Sequence, residues 1–351
     1  MKIYKLTLTT LLLFMLSLSA IAREEAKAEF HESYTTDQQT NLNVSNRYGE
    51  IVINNVYQDK MTIDVLVTVE SSSAKKSNEI LESINIEISK NGNDISAITE
   101  IDGNMKWNNV KVNIDYTINM PTYIDTELSL RYGDVRVESI TGTFAADVRY
   151  GNFQANLLQP ADNQHINTLN MAYCGQVSVK SFSRLKLDLS YSDAKLSSGN
   201  ALDLTCKYSD INLGDIAIVK AQLGYSDMSL SSTLDASVEG RYSDMDFGII
   251  NSSLIVDTKY GDVDVDMIKR DFELIKVDAA YSDIEANVEQ GANYKINLSA
   301  SYGDISYPRV NVVKTDDEGS SQYMQGYNGQ QNSPREINIE SRYGDIDVST
   351  M

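Results

Sequence analysis

The chain has 351 residues, with 50 acidic against 30 basic side chains and a formal charge of -20 at neutral pH. A surface of that sign repels nucleic acid and anionic lipid, so neither is expected as a partner. The length allows one large repeat domain or two globular ones.

Residues 1–22 read as a cleaved secretory signal. Lys2 and Lys5 form a basic start, Leu6 to Leu18 an apolar stretch, and Ala20-Ile21-Ala22 a small-residue cleavage site. A membrane anchor is the competing reading, but the apolar run is short for a span and no second run of spanning length follows. The expectation is an exported protein of the periplasm or cell surface, with no integral membrane segment after cleavage. Residues 23–40 are polar and are expected to be loosely ordered. Residues 41–126 read as a strand-rich N-terminal cap. Met61, Ile63, Val65, Val67 and Val69 alternate with polar residues, and residues 72–83 are the one credible short helix. Trp107, in the polar stretch MKWNN, is expected to pack locally rather than to stack on sugar.

From residue 127 to 351 one motif recurs: a basic or small residue, a tyrosine, Gly or Ser, and an acid. Including the earlier Tyr48, its tyrosines are Tyr48, Tyr132, Tyr150, Tyr173, Tyr191, Tyr208, Tyr225, Tyr242, Tyr260, Tyr281, Tyr302 and Tyr343. From Tyr173 onward the spacings run 18, 17, 17, 17, 18, 21, 21 and 41. A catalytic motif needs to occur once; a motif at constant period is architecture. Strict alternation precedes each tyrosine, as in Leu185, Leu187 and Leu189 before Tyr191. That is a strand with one buried face. The predicted fold is all-β: a single-domain parallel β-solenoid of roughly 12 to 15 coils, each about 17–21 residues long. A meander of hairpins is the alternative, and the recurrence of one and the same corner disfavours it. Counting by twos from the leucines gives the tyrosines an inward orientation. Residues 315–334, polar and rich in Gly and Gln, read as a flexible loop.

At this point the chain resembles the bacterial "putative adhesin" family of secreted β-strand-repeat proteins of unknown function. The resemblance rests on Met120-Pro121, on IDTELSLRYGDVRV over residues 124–137 with the Thr141-Gly142 turn, on the repeated Y-G/S-D-I/V/M step, and on a Gly-containing loop before the closing INIESRYGDIDV. It covers roughly residues 40–351. YCGQV at 173–177 departs by one extra residue and suggests a bulged corner. The resemblance implies a β-solenoid of the cell envelope with an adhesin-like role.

The chemistry-bearing residues fit that reading. Asp134, Asp193, Asp210, Asp227, Asp244, Asp262, Asp283, Asp304 and Asp345 all occupy the same corner. Their regularity points to a shared structural role, bonding to a tyrosine hydroxyl or to corner amides. A ladder of carboxylates about 5 Å apart could also hold Ca²⁺, although the Gly-Gly-x-Gly-x-Asp calcium repeat is absent. No catalytic residues and no cofactor are expected. His31 and His165 have no Cys or His at metal-ligand spacing. Cys174 and Cys206 lie two coils apart, too far for a disulfide. The expected function is non-enzymatic surface binding to a glycan or protein component of a surface or envelope. A periplasmic structural or envelope-stress role is the alternative, and a glycan-active β-helix enzyme the third.

Overall fold

The computed structural model describes residues 23–102, 109–160 and 165–351. The expected signal segment and Trp107 lie outside the described residues. Among those described, 26 strands form one hydrogen-bonded system and a single α-helix covers Ala74–Leu81. Successive coils pair in parallel. Ala194–Lys207 lies between Gln176–Ser190 and Ile211–Gly224, each strand continuing around the return bend.

The interior sequence explains the shape of a coil. Ile211, Leu213, Ile216, Val219, Ala221, Leu223, Ser226 and Met228 are all buried. The step is two along each straight side, as a strand requires. It is three on either side of Ile216, where the chain makes a broad return, and three again from Leu223 to Ser226, across the tyrosine corner. Like positions stack from coil to coil: Leu196, Leu213, Leu230 and Phe247 are in register and buried. Each such side chain contributes roughly 1.5–3 kcal/mol of burial. No coil could bury its apolar face alone.

The N-terminal end departs from the expected boundaries. Asn41–Asn46 and Ile51–Asn55 are already a coil, paired in parallel with Asp125–Arg131 and Val135–Ile140. The cap proper lies beyond it. Lys111–Met120 and Asp94–Ile101 stack on this first coil, and Lys60–Ser71 and Ile84–Asn91 close them off antiparallel. Residues 23–40 are not loosely ordered throughout. Glu24–Thr35 is a full-length edge strand on Lys60–Ser71, because Ala26, Ala28 and Phe30 alternate as an apolar face against the cap. The helix forms where expected, with the Ser73 hydroxyl accepting the Lys76 N–H as N-cap.

The C-terminal end is stacked out of chain order. Glu336–Arg342 and Ile346–Thr350 form a coil inserted between the Tyr281 coil and the Tyr302 coil. The segment expected as a flexible loop is instead largely a hairpin. Asn311–Glu318 and Ser321–Asn328 pair antiparallel, and the second strand pairs with Tyr294–Ser301. Its polar composition reflects a position outside the core: Asn311–Glu318 is exposed along its whole length. Such a polar edge covers the last coil and discourages pairing with stray strands.

Candidate functional site: an exposed tyrosine ladder

The corner places the tyrosines outward, correcting the inward orientation expected from parity. Eleven of the twelve have φ between 50° and 63°, a left-handed conformation that L-residues with bulky side chains rarely adopt. A left-handed residue breaks the alternation. The side chain after it, Ser or Gly, turns into the core, and the ring turns out. Tyr225 is 55% exposed while Ser226 is 2% exposed. The sequence held a signal for this. The apolar positions change parity across the corner, as from Leu130 to Val135, so some residue between them must break the period of two. The Tyr48 corner differs in carrying its positive φ on Gly49.

The twelve rings stack face to face in one column. Neighbouring centroids are 4.7–5.5 Å apart and interplanar angles are 3–16°. The order is that of the coils, so Tyr343 sits between Tyr281 and Tyr302. Eleven steps near the strand spacing make a stripe about 50 Å long.

Beneath the rings runs a buried polar column. Each Ser hydroxyl from Ser192 to Ser243 donates to the carbonyl two residues back and accepts an N–H from the preceding coil. Ser226 Oγ lies 3.0 Å from the Gly224 oxygen and 3.1 Å from the Ser209 nitrogen. Cys174 takes the serine position in the YCGQV corner; its N–H donates to Ser192 Oγ at 2.8 Å. The extra residue there is absorbed between Cys174 and Gln176. Both cysteines are buried free thiols. Burial pushes the Cys206 thiol up to about 11 and raises Cys174 as well.

On one flank of the rings lie the corner acids. Eight of the nine place a carboxylate oxygen on a backbone or side-chain amide rather than on a tyrosine hydroxyl. Asp193 Oδ1 accepts the Asp210 N–H at 3.2 Å, and Asp227, Asp244, Asp262, Asp283 and Asp345 each accept an amide from the next coil in the same way. Asp134 accepts both the backbone and the side-chain N–H of Asn152, each at 2.9 Å. The caps continue the scheme: Asp115 accepts the Glu50 amide at one end, and Gln322 donates to Asp304 at the other. On the opposite flank lie Arg47, Arg131, Arg149, Lys207, Arg241, Lys259 and Arg342. Arg47 and Lys259 lean over Tyr48 and Tyr260, 5.6 and 5.2 Å from the ring centroids. Arg241 pairs with Asp257 at 2.8 Å and Arg149 with Asp147 at 3.1 Å.

This arrangement offers a regular surface. Ring faces cover one another, so the free groups are ring edges, hydroxyls and the two charged rows. Among the described residues no three His, Cys, Asp or Glu side chains converge to hold a metal ion. His31 pairs with Asp64 on the outer face of the cap. Asp264 is raised by burial and by its acidic neighbours Asp246 and Glu285. Those neighbours are like charges, not the lowered partner that acid–base work requires.

Fold and surface together define a parallel β-solenoid that displays one tyrosine ladder. Residues 172–349, just over half of the chain, match the Toastrack DUF4097 family, and the chain belongs to that family. No curated protein matches it in sequence. Among solved structures it is similar to a "putative cell adhesion protein" from Clostridium sporogenes, at 14% identity over 93% of this chain and 100% of that one, with a TM-score of 0.21. It is also similar to a "putative adhesin" from Bacteroides fragilis, at 12% identity over 93% and 98% of the two chains and a TM-score of 0.32. A third, a "putative adhesin" from Parabacteroides distasonis, gives 11% identity over 93% and 97%, and a TM-score of 0.29.

Proposed function

We propose that this is a non-enzymatic, exported cell-envelope protein that binds other surfaces in an adhesin-like way, with the tyrosine ladder as its contact stripe. The observation that supports this is the placement of large aromatic side chains, about half exposed, on a backbone conformation that glycine or asparagine would adopt with less strain. An exposed aromatic stripe of this length marks an interaction surface. Its edge-on rings and hydroxyls suit an extended, repetitive partner, glycan or protein, more than a small ligand in a cleft. Among the described residues no helix is long and apolar enough to cross a membrane.

The test is protease treatment of intact cells that make the chain, beside an adhesion assay on the triple variant Tyr191→Ser/Tyr208→Ser/Tyr225→Ser. Digestion with a periplasmic control spared, and a severalfold loss of adherent cells in the variant, is the expected result. Protection until the outer membrane is opened would instead place the chain in a periplasmic structural role.

A further inference from the structure

We infer that the partner of the ladder is a second copy of the same ladder, two solenoids pairing side by side and parallel. This deepens the adhesin-like reading and rests on it. Six rungs carry a basic residue on one side of the ring and an acid on the other within the same four residues, as in Arg131-Tyr132-Gly133-Asp134 and Lys207-Tyr208-Ser209-Asp210. The others with both are those of Tyr48, Tyr242, Tyr260 and Tyr343. The basic residue ends the incoming strand and the acid begins the outgoing one, so the two rows run along opposite flanks of the stripe.

Symmetry then selects one arrangement. A twofold axis along the ladder, lying in the interface, turns the basic flank of one copy onto the acidic flank of the other at each of those six rungs. A twofold axis across the ladder sets basic against basic and acid against acid. Both pairings are isologous, but only the parallel one is charge-matched. The repeat argues the same way. Rungs spaced 4.7–5.5 Å apart meet an identical environment at every step only against a surface with the same spacing, and a second copy supplies it. A strip about 50 Å long and 10–15 Å wide approaches the roughly 800 Å² per partner that specific interfaces bury. The overall charge of -20 repels copies at long range, so the pairing needs physiological salt to screen it.

The experiment is sedimentation equilibrium of the purified chain at about 0.15 M salt, with two sets of variants. Arg131→Glu/Lys207→Glu/Arg342→Glu reverses three exposed side chains and, with circular dichroism unchanged, should weaken the dimer at least tenfold. Tyr132→Cys and Tyr343→Cys stand near opposite ends of the column. Under mild oxidation each should cross-link to its own kind, and a mixture of the two should give few mixed dimers. A chain that stays monomeric, a dimer indifferent to the charge reversals, or cross-linking confined to the mixed pair overturns the inference. If a monomeric chain still loses cell adhesion in the triple tyrosine variant, self-pairing falls and the adhesin-like reading stands. If the dimer behaves as expected on cells that do not adhere, the adhesin-like reading falls alone.

Discussion

A tyrosine at φ near 55° costs the backbone about 1–2 kcal/mol relative to an ordinary strand conformation. Stacking on two neighbours returns about 0.5–1.5 kcal/mol per pair, so the column holds itself roughly in balance. This makes an unusual prediction at Tyr225, whose φ is 54°. In urea unfolding, Tyr225→Gly should be about 1 kcal/mol more stable than Tyr225→Ala, because glycine accepts the left-handed region freely. In an ordinary strand the order is the reverse, and finding that order would mean the corner is unstrained. Neither change should approach the 3–5 kcal/mol typical of deleting a fully buried ring, since the Tyr225 ring is half in solvent.

At the scale of the corner and the coil, the choice between Gly and Ser is set by how closely the coils approach. A Cβ on Gly151 would stand 1.7 Å from the Gly133 carbonyl oxygen, and one on Gly133 1.6 Å from that of Gly49. Glycine is needed there for close approach, not for its φ. Gly151→Ser should therefore destabilise by more than about 3 kcal/mol, as a forced backbone shift in a packed core does. Ser226→Gly, which only removes two hydrogen bonds, should cost about 1–3 kcal/mol. Comparable chemical melting midpoints for the two variants would refute that reading. The inserted last coil makes a second prediction. Leu274 and Lys295 both align with Glu336, so the Tyr302 coil is in register to stack directly on the Tyr281 coil. A chain lacking residues 336–351 should remain folded by circular dichroism, with a lower melting temperature. Complete loss of strand signal would show that the Tyr302 coil depends on the insertion.

Across the whole molecule the acid excess accumulates on one lateral face. Asp246, Asp264 and Glu285 occupy adjacent strands in register, beside Asp244 and Asp262. Burial first, and then these neighbours, raise the Asp264 carboxyl above its usual value. A raised carboxyl in the folded state means that the folded chain binds its proton more tightly than the unfolded chain does. Stability gained by protonation therefore appears as pH falls through the folded value and is complete below the unfolded value of 3.8. At pH 7 the charged form is a liability. Asp264→Asn should raise the melting temperature at pH 7, by no more than about 1 kcal/mol of stability. The gain should shrink in high salt and vanish below the unfolded value. A gain that persists at pH 3 would assign the effect to packing instead.

The solenoid was legible in the sequence because a repeat of 17 to 21 residues with alternating leucines can bury its apolar face in few other ways. The short helix at Ala74–Leu81 and the buried, unpaired cysteines follow from the same local rules of period and spacing. What local rules could not decide was the direction of each tyrosine. One residue in the left-handed region reverses inside and outside for every side chain after it, and parity carried through the corner gives the opposite answer. The order of the last coils was also beyond the sequence, since a register offset of 21 residues is equally compatible with stacking in chain order. The edge strands at Glu24–Thr35 and Asn311–Glu318 are too polar to announce themselves. An open sheet edge beside each needs its backbone groups paired, and at Glu24–Thr35 the apolar face of Ala26, Ala28 and Phe30 adds packing against the cap. Sequence period fixed the coil; only the stacking of coils on one another decided which face each corner shows to solvent.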